Sequence, residues 1–314
     1  MLAKIAYYLL VIPLSYLPLR VLYLLTDFLF LILILFIPYR RKVVRKNLIN
    51  SFPDKSEKEI LKIERQFYHH FTDILAEGIK NLSISKRELS KRLVVENSEL
   101  MNKLYTKNKS VLLVSGHYNN WEWLITAQNN LFQHQAMGIG MPLTSKFWDK
   151  KINERRSRFG MKVINAHNLN ESIQKETKEP IAILILGDQS PFDSKKSYWM
   201  EFLHQQTAVV FGTEQIANQY DFAVVFFKMI KVKRGHYKMV LELVTETPRE
   251  LQWGEITEKH THLIENEIIK NPQFWIWSHK RWKREIPENL DALKLEQKAK
   301  FESKYRNKNQ ILNI

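Results

Sequence analysis

A histidine and a glutamate five positions apart, His117 and Glu122, stand in the run VLLVSGHYNNWEW at residues 111–123. The run reads as a buried strand, a glycine turn and a helix start. At about 100° per residue, positions i and i+5 lie about 140° apart on a helix. The two side chains therefore converge only if the histidine is still on the turn while the glutamate sits one turn inside. Asn119 or Asn120 is the N-cap this geometry needs, since a short amide side chain accepts from an orphan N–H. An imidazole held by a carboxylate beside a helix N-terminus has the parts of a general base. The carboxylate fixes the tautomer and stabilises the imidazolium, and the dipole favours a developing oxyanion. A histidine that only caps a turn looks the same locally, so the pair alone decides nothing.

Other chemistries fall away on residue type. Cysteine is absent, which removes disulfides, thiolate zinc sites, iron–sulfur clusters and cysteine nucleophiles together. No Gly-x-Ser-x-Gly elbow offers a serine. His260, His262 and Glu265 lack the His-Glu-x-x-His spacing, so a zinc site is not expected, and no cofactor is expected. Three further groups carry candidate residues. Arg155, Arg156 and Arg158 close a helix-like stretch, and Gly187-Asp188-Gln189 ends an apolar strand, where a carboxylate must find donors or water. Trp275, Trp277 and Trp282 interleave with His279, Arg281 and Lys283, a mixture suited to a membrane interface or to ordering an active-site loop. A solvated helix face, a structural turn and plain packing, respectively, stay open for these groups. With 48 Lys+Arg against 33 Asp+Glu the net charge is +15, which favours acidic partners. The cations are spread along the chain and no nucleic-acid motif is present, so nucleic acid is not an expected partner. A non-catalytic, membrane-anchored binder of anionic ligands is the competing class.

The elements that must position these residues follow from periodicity. Ser56 and Glu59 form a capping box ahead of a helix toward Asn81, with Ile60, Ile63, Phe67, Phe71, Ile74 and Leu75 at helical spacing. Apolar runs at 111–114, 136–139, 162–164, 181–186, 223–230 and 239–244 read as strands. Helix-like stretches at 121–131, 145–159, 169–177, 211–219 and 255–270 lie between them. Such alternation predicts one α/β domain over residues 39–285, with a mostly parallel central sheet flanked by helices and functional groups at strand ends. Residues 286–314 read as a charged C-terminal helix or tail. Residues 1–38 read as a membrane anchor, because residues 5–37 are almost wholly apolar apart from Arg20 and Asp27. A transmembrane helix near residues 21–37 is the expectation, with an interfacial helix around Pro13 and Pro18 ahead of it as a variant. Arg40, Arg41, Lys42, Arg45 and Lys46 then place the following domain in the cytoplasm.

Residues 111–123 resemble the HX4E form of the glycerolipid acyltransferase superfamily, specifically the lauroyl/myristoyl late acyltransferases of lipid A assembly. The resemblance extends to Arg45-Lys46-Asn47-Leu48 with Phe52-Pro53, to Arg155, Arg156 and Arg158 before Phe159-Gly160, to Gly187-Asp188-Gln189, and to Trp277 with the run from His279 to Lys283. It covers roughly residues 10–285, and it is the order of the motifs that makes it specific. It implies a membrane-anchored enzyme of the bacterial inner membrane, facing the cytoplasm. Such an enzyme transfers an acyl chain from acyl carrier protein or acyl-CoA to a hydroxyl of a lipid A precursor, with His117 and Glu122 catalytic. Asn120, Arg156, Arg158, Asp188, Gln189, His279 and Arg281 are the implied substrate-binding residues, the arginines holding donor or acceptor phosphate or supporting the catalytic pair. Asn119 stands where the family often has Gly, and residues 203–207 lack its usual Gly and Pro, which leaves an aminolipid, phospholipid or pigment acceptor open.

Overall fold

The computed structural model describes residues 2–37, 39–140, 142–175 and 179–306. The N-terminal apolar run divides into α1 (Leu2–Ala6), a π-helical turn (Tyr7–Val11), α2 (Ile12–Tyr16) and α3 (Leu19–Leu35), followed by α4 (Arg41–Ser51) and α5 (Glu57–Lys80). Among the described residues no helix is long and apolar enough to cross a membrane, which corrects the expected transmembrane helix. Pro18 has no N–H to donate and Leu17 before it is extended, with ψ 149°. That leaves α3 with 17 residues, about 25 Å of helix against a hydrocarbon core of about 30 Å. The helix is also committed to the domain. Its inner residues Leu22, Tyr23, Thr26 and Phe30 are buried, it packs on α5, and Asp27 pairs with Arg234 at 2.5 Å. Pro38, where the expected anchor ends, lies outside the described residues.

The remaining elements are α6 (Lys86–Arg92), β1 (Leu93–Val95), α7 (Glu99–Thr106), β2 (Val111–Ser115), α8 (Trp121–Leu131), β3 (Gln135–Gly140) and α9 (Lys146–Arg156). Then come β4 (Lys162–Asn165), α10 (Leu169–Lys175), β5 (Ile181–Leu186), the hairpin of β6 (Tyr198–Phe202) and β7 (Gln205–Val209), and α11 (Gly212–Tyr220). The chain continues through β8 (Ala223–Lys233), β9 (His236–Thr245), α12 (Glu255–Lys270) and α13 (Leu290–Tyr305). The six strands read from apolar runs are β2, β3, β4, β5, β8 and β9. Together with β1 they make one sheet in the order β1-β9-β8-β2-β5-β3-β4, parallel at every junction except β8/β9. The helix expected over 169–177 is described as far as Lys175, residues 176–178 lying outside the described residues.

Both faces of the sheet are covered, which is why its central strands are continuously apolar rather than alternating. Val111 and Leu113 of β2 pack with Trp123, Leu124 and Ala127 of α8. Leu112 and Val114 face the other way, onto Ile256, Ile264 and Ile268 of α12 and Ile60, Ile63 and Phe67 of α5. The C-terminal helix α13 seats Phe301 and Tyr305 against Tyr198 and Phe211. Residues 307–314, with Ile311, lie outside the described residues.

Candidate active site

Strands β2 and β5 are adjacent and parallel, with Ser115 opposite Leu186. Two residues beyond that pair stand His117 on one strand end and Asp188 on the other. Their side chains meet, His117 Nδ1 lying 2.6 Å from Asp188 Oδ1. The second carboxylate oxygen accepts from the His117 backbone N–H and from Trp275 Nε1, both at 2.7 Å. Glycine at 116 is what allows this approach: a Cβ there would lie 2.8 Å from Asp188 Oδ2. Burial pushes the Asp188 carboxyl up, but the facing imidazole and these donors outweigh it and hold it below the usual carboxylate range.

A carboxylate only accepts, so His117 carries its proton on Nδ1 and leaves the lone pair at Nε2 as an acceptor, which the Gln189 amide faces. The Gln189 amide nitrogen lies 3.2 Å from that atom, and the Trp121 ring stands edge-on to the imidazole, with centroids 5.0 Å apart. In front of Nε2 lies a cavity of about 290 Å³. His117, Arg156 and Gln189 are its polar lining, and Ile125, Gly138, Ile139, Met161, Val163, Leu184 and Leu186 its apolar walls. A second cavity of about 220 Å³ shares Gly140, Arg156 and Val163 with it and continues past Leu143 and Asn153.

Glu122 stands elsewhere than the spacing suggests. It sits in the first turn of α8, and its carboxylate receives Arg155 Nη2 at 2.5 Å and Arg156 Nη2 at 2.6 Å. Burial raises its carboxyl, but the two guanidiniums prevail and hold it below its ordinary value. The partner of the imidazole is thus Asp188, and Glu122 anchors the arginine pair. Asn120 is the N-cap, accepting from Trp123 N–H at 3.0 Å, while Asn119 takes the left-handed turn, with φ 53°. The Asn120 amide points inward and donates to Glu77 at 2.5 Å.

The other candidates separate in the same way. Arg158 donates to the carbonyls of Asn81 and Ile84 at 2.6 and 2.8 Å, closing the C-terminal end of α5. His279 Nε2 accepts from the Ser190 backbone N–H at 3.1 Å, which ties the loop after Gln189; burial lowers this imidazole to about 4. Arg281 is 2% exposed, lies over the Phe202 ring, and is lowered to about 10 by burial. Arg281, His260 and Asp188 line a small space beside Gly187.

Two site residues escape sequence reasoning. Trp275 is visible only as part of an aromatic cluster. Glu77 is fully buried and receives Tyr23 Oη, Tyr237 Oη and the Asn120 amide. Its signal is a carboxylate in line with the apolar stripe of α5, fourteen residues after Ile63. Asp27, His69 and Asp73 are spaced to hold a metal ion, but the Arg234 guanidinium already sits on both carboxylates at 2.5 Å. A dication would have to displace it.

Comparison with protein families matches residues 2–284 to the model described as bacterial lipid A biosynthesis acyltransferase. No curated protein matches the chain.

Proposed function

The chain belongs to the bacterial lipid A biosynthesis acyltransferase family, and from that premise we propose that it moves a fatty acyl chain from an acyl thioester to a hydroxyl of a lipid A precursor, with His117 as general base. One arrangement carries the reading: an imidazole backed by a buried carboxylate, on the lining of a largely apolar cavity that also includes the Arg156 guanidinium. The acceptor hydroxyl gives its proton to His117 Nε2 as its oxygen attacks the thioester carbonyl. Asp188 stabilises the imidazolium and keeps the tautomer. Negative charge builds on the carbonyl oxygen, and Arg156, held by Glu122 and lining the same cavity, is the cation that stabilises it. Collapse breaks the C–S bond, and the imidazolium returns its proton to the leaving thiolate. No acyl-enzyme forms.

The apolar walls accept the acyl chain. An acidic carrier such as acyl carrier protein suits a +15 protein through electrostatic steering, and coenzyme A is the other donor. The proposed location is the cytoplasmic face of the bacterial inner membrane. There the exposed Lys42 and Lys46 of α4 contribute at about 1 kcal/mol each near anionic head groups, whereas Arg41 and Arg45 are held by Glu64.

The test is transfer of labelled acyl groups from acyl carrier protein and from coenzyme A onto a lipid A precursor and onto total membrane lipid. Wild type should acylate the precursor, and His117→Ala should lose about two to four orders of magnitude in kcat. Undiminished transfer by His117→Ala would remove the general base from the reading, and transfer only to other lipids would change the acceptor.

A further inference from the structure

A separate cavity, of about 420 Å³, lies between α3, α5 and the end of β8. It shares no lining residue with the cavity in front of His117. Lys62 and Arg65 stand at its rim, Phe30 and Phe274 form apolar walls, and His70 and Lys231 line its depth. Three observations point to a ligand.

The first is a donor without a partner. His70 is 5% exposed, with Lys231 Nζ 3.3 Å from its Nδ1. An ammonium only donates, so Nδ1 is the accepting nitrogen and the hydrogen of the neutral ring sits on Nε2. Burial and the neighbouring ammonium keep the ring neutral. That buried Nε2–H meets no acceptor in the structure, a costly arrangement, and it belongs to a ring that lines the cavity.

The second is charge. Lys231 is matched by Asp73 at 3.0 Å, and Arg234 is shared between Asp27 and Asp73, so these four groups balance. Lys62 and Arg65 are exposed and pair with no carboxylate among the described residues, which leaves two positive charges over the opening. The third is the neighbourhood. Phe30 belongs to α3, whose outward stripe Leu24, Phe28, Leu31 and Leu35 is exposed at i, i+4, i+7 and i+11.

We infer that this cavity is an anion site for the phosphate head group of an amphiphile, whose apolar part lies along the exposed stripe of α3. Lys62 and Arg65 attract the phosphate, the Lys231 ammonium and the His70 Nε2–H meet its oxygens, and Phe30 and Phe274 flank the glycerol-like stem. The inference does not rest on acyl transfer, because it is read by binding without turnover.

The test uses the full chain in flotation with phosphatidylcholine vesicles, with and without phosphatidate, and in titration with a short-chain phosphatidate below its micellar concentration and with inorganic phosphate. Phosphatidate should raise vesicle binding, and short-chain phosphatidate should bind more tightly than inorganic phosphate. The double variant Lys62→Ala/Arg65→Ala should lower the association constant about tenfold or more. His70→Phe keeps the ring's packing against Phe274 and should weaken both phosphatidate forms. The charge-matched control Lys294→Ala/Lys298→Ala on α13 should leave affinity near wild type. Equal losses in the control would reduce the effect to overall charge and overturn the site. Inorganic phosphate binding as tightly as the lipid would overturn the amphiphile, and indifference to phosphatidate would overturn both.

Discussion

At the scale of single residues, His117 is legible in the sequence, but its partner is the wrong carboxylate until the sheet is known. Glu122 is close along the chain, whereas Asp188 is 71 residues away. What joins His117 and Asp188 is strand adjacency. The trace of it in the sequence is a repeated punctuation, an apolar run followed by Gly116-His117 in one place and by Gly187-Asp188 in another. A single sequence shows the two turns without showing that their strands are neighbours. Trp275 supplies the most direct probe of the carboxylate that does not touch the base itself. Trp275→Phe removes one of the donors to Asp188 Oδ2, so the Asp188 carboxyl should rise. The acid limb of the kcat–pH profile should move to higher pH, and kcat should fall by about tenfold, the net worth of a hydrogen bond to a charged group. An unmoved acid limb would mean that the indole N–H does not tune the dyad.

At the scale of elements, His117 is only as well placed as the turn between β2 and α8. That turn is tied from beneath by α5. Glu77 receives the Asn120 amide, Asn120 caps α8 through Trp123, and the Trp123 indole donates to the Glu77 carbonyl at 3.1 Å. Burial raises the Glu77 carboxyl, against the donors from Tyr23, Tyr237 and Asn120. Glu77→Ala leaves three buried donors unpaired and should cost several kcal/mol, at about 1–3 kcal/mol for each orphaned group. Glu77→Gln retains an acceptor oxygen and should lose less, with kcat affected more than KM because it is the turn that shifts. Chemical denaturation and steady-state kinetics on the pair check this; equal stability of wild type and Glu77→Ala would contradict it. The helix itself was readable from its capping box, which is formed as expected. The role of Glu77 was not, since its partners come from α3, α8 and β9.

At the scale of the whole molecule, the α/β order and the mostly parallel sheet follow from the alternation of apolar runs and amphipathic stretches. The three-residue β1 is too short to be read, and the β6–β7 hairpin, YWMEF and QQTAV, offers neither a continuous aliphatic run nor a clear alternation. The N-terminal run misleads for a physical reason: hydropathy counts apolar residues without asking what they face. Here Leu22, Tyr23 and Phe30 face the domain, and Asp27, read as an interruption of a span, is half of an ion pair with a residue 207 positions on. Buried histidines set a global pH response. His260 is lowered to about 4 by burial, His279 likewise to about 4, and His70 and His134 are lowered by the same cause. Between about pH 6.5 and about 4 the unfolded chain holds protons at these sites that the native state does not, so stability rises with pH through that window and is lost as pH falls. Thermal melts should give a lower Tm at pH 5 than at pH 7, with a shallower slope for His260→Gln. A Tm independent of pH across that range would contradict the assignment of neutral buried imidazoles.

The measurement that bears most directly on the account is acyl transfer to a lipid A precursor by Asp188→Asn set beside Glu122→Gln, with both variants verified as folded. If Asp188 is the partner of the base, Asp188→Asn should lower kcat by about three to four orders of magnitude, as a wrong tautomer does in a comparable dyad. Glu122→Gln, which loosens the arginine pair, should lose about ten- to a hundredfold. The reverse order, a severe loss in Glu122→Gln and a mild one in Asp188→Asn, would contradict the His117–Asp188 assignment and return the imidazole to Glu122.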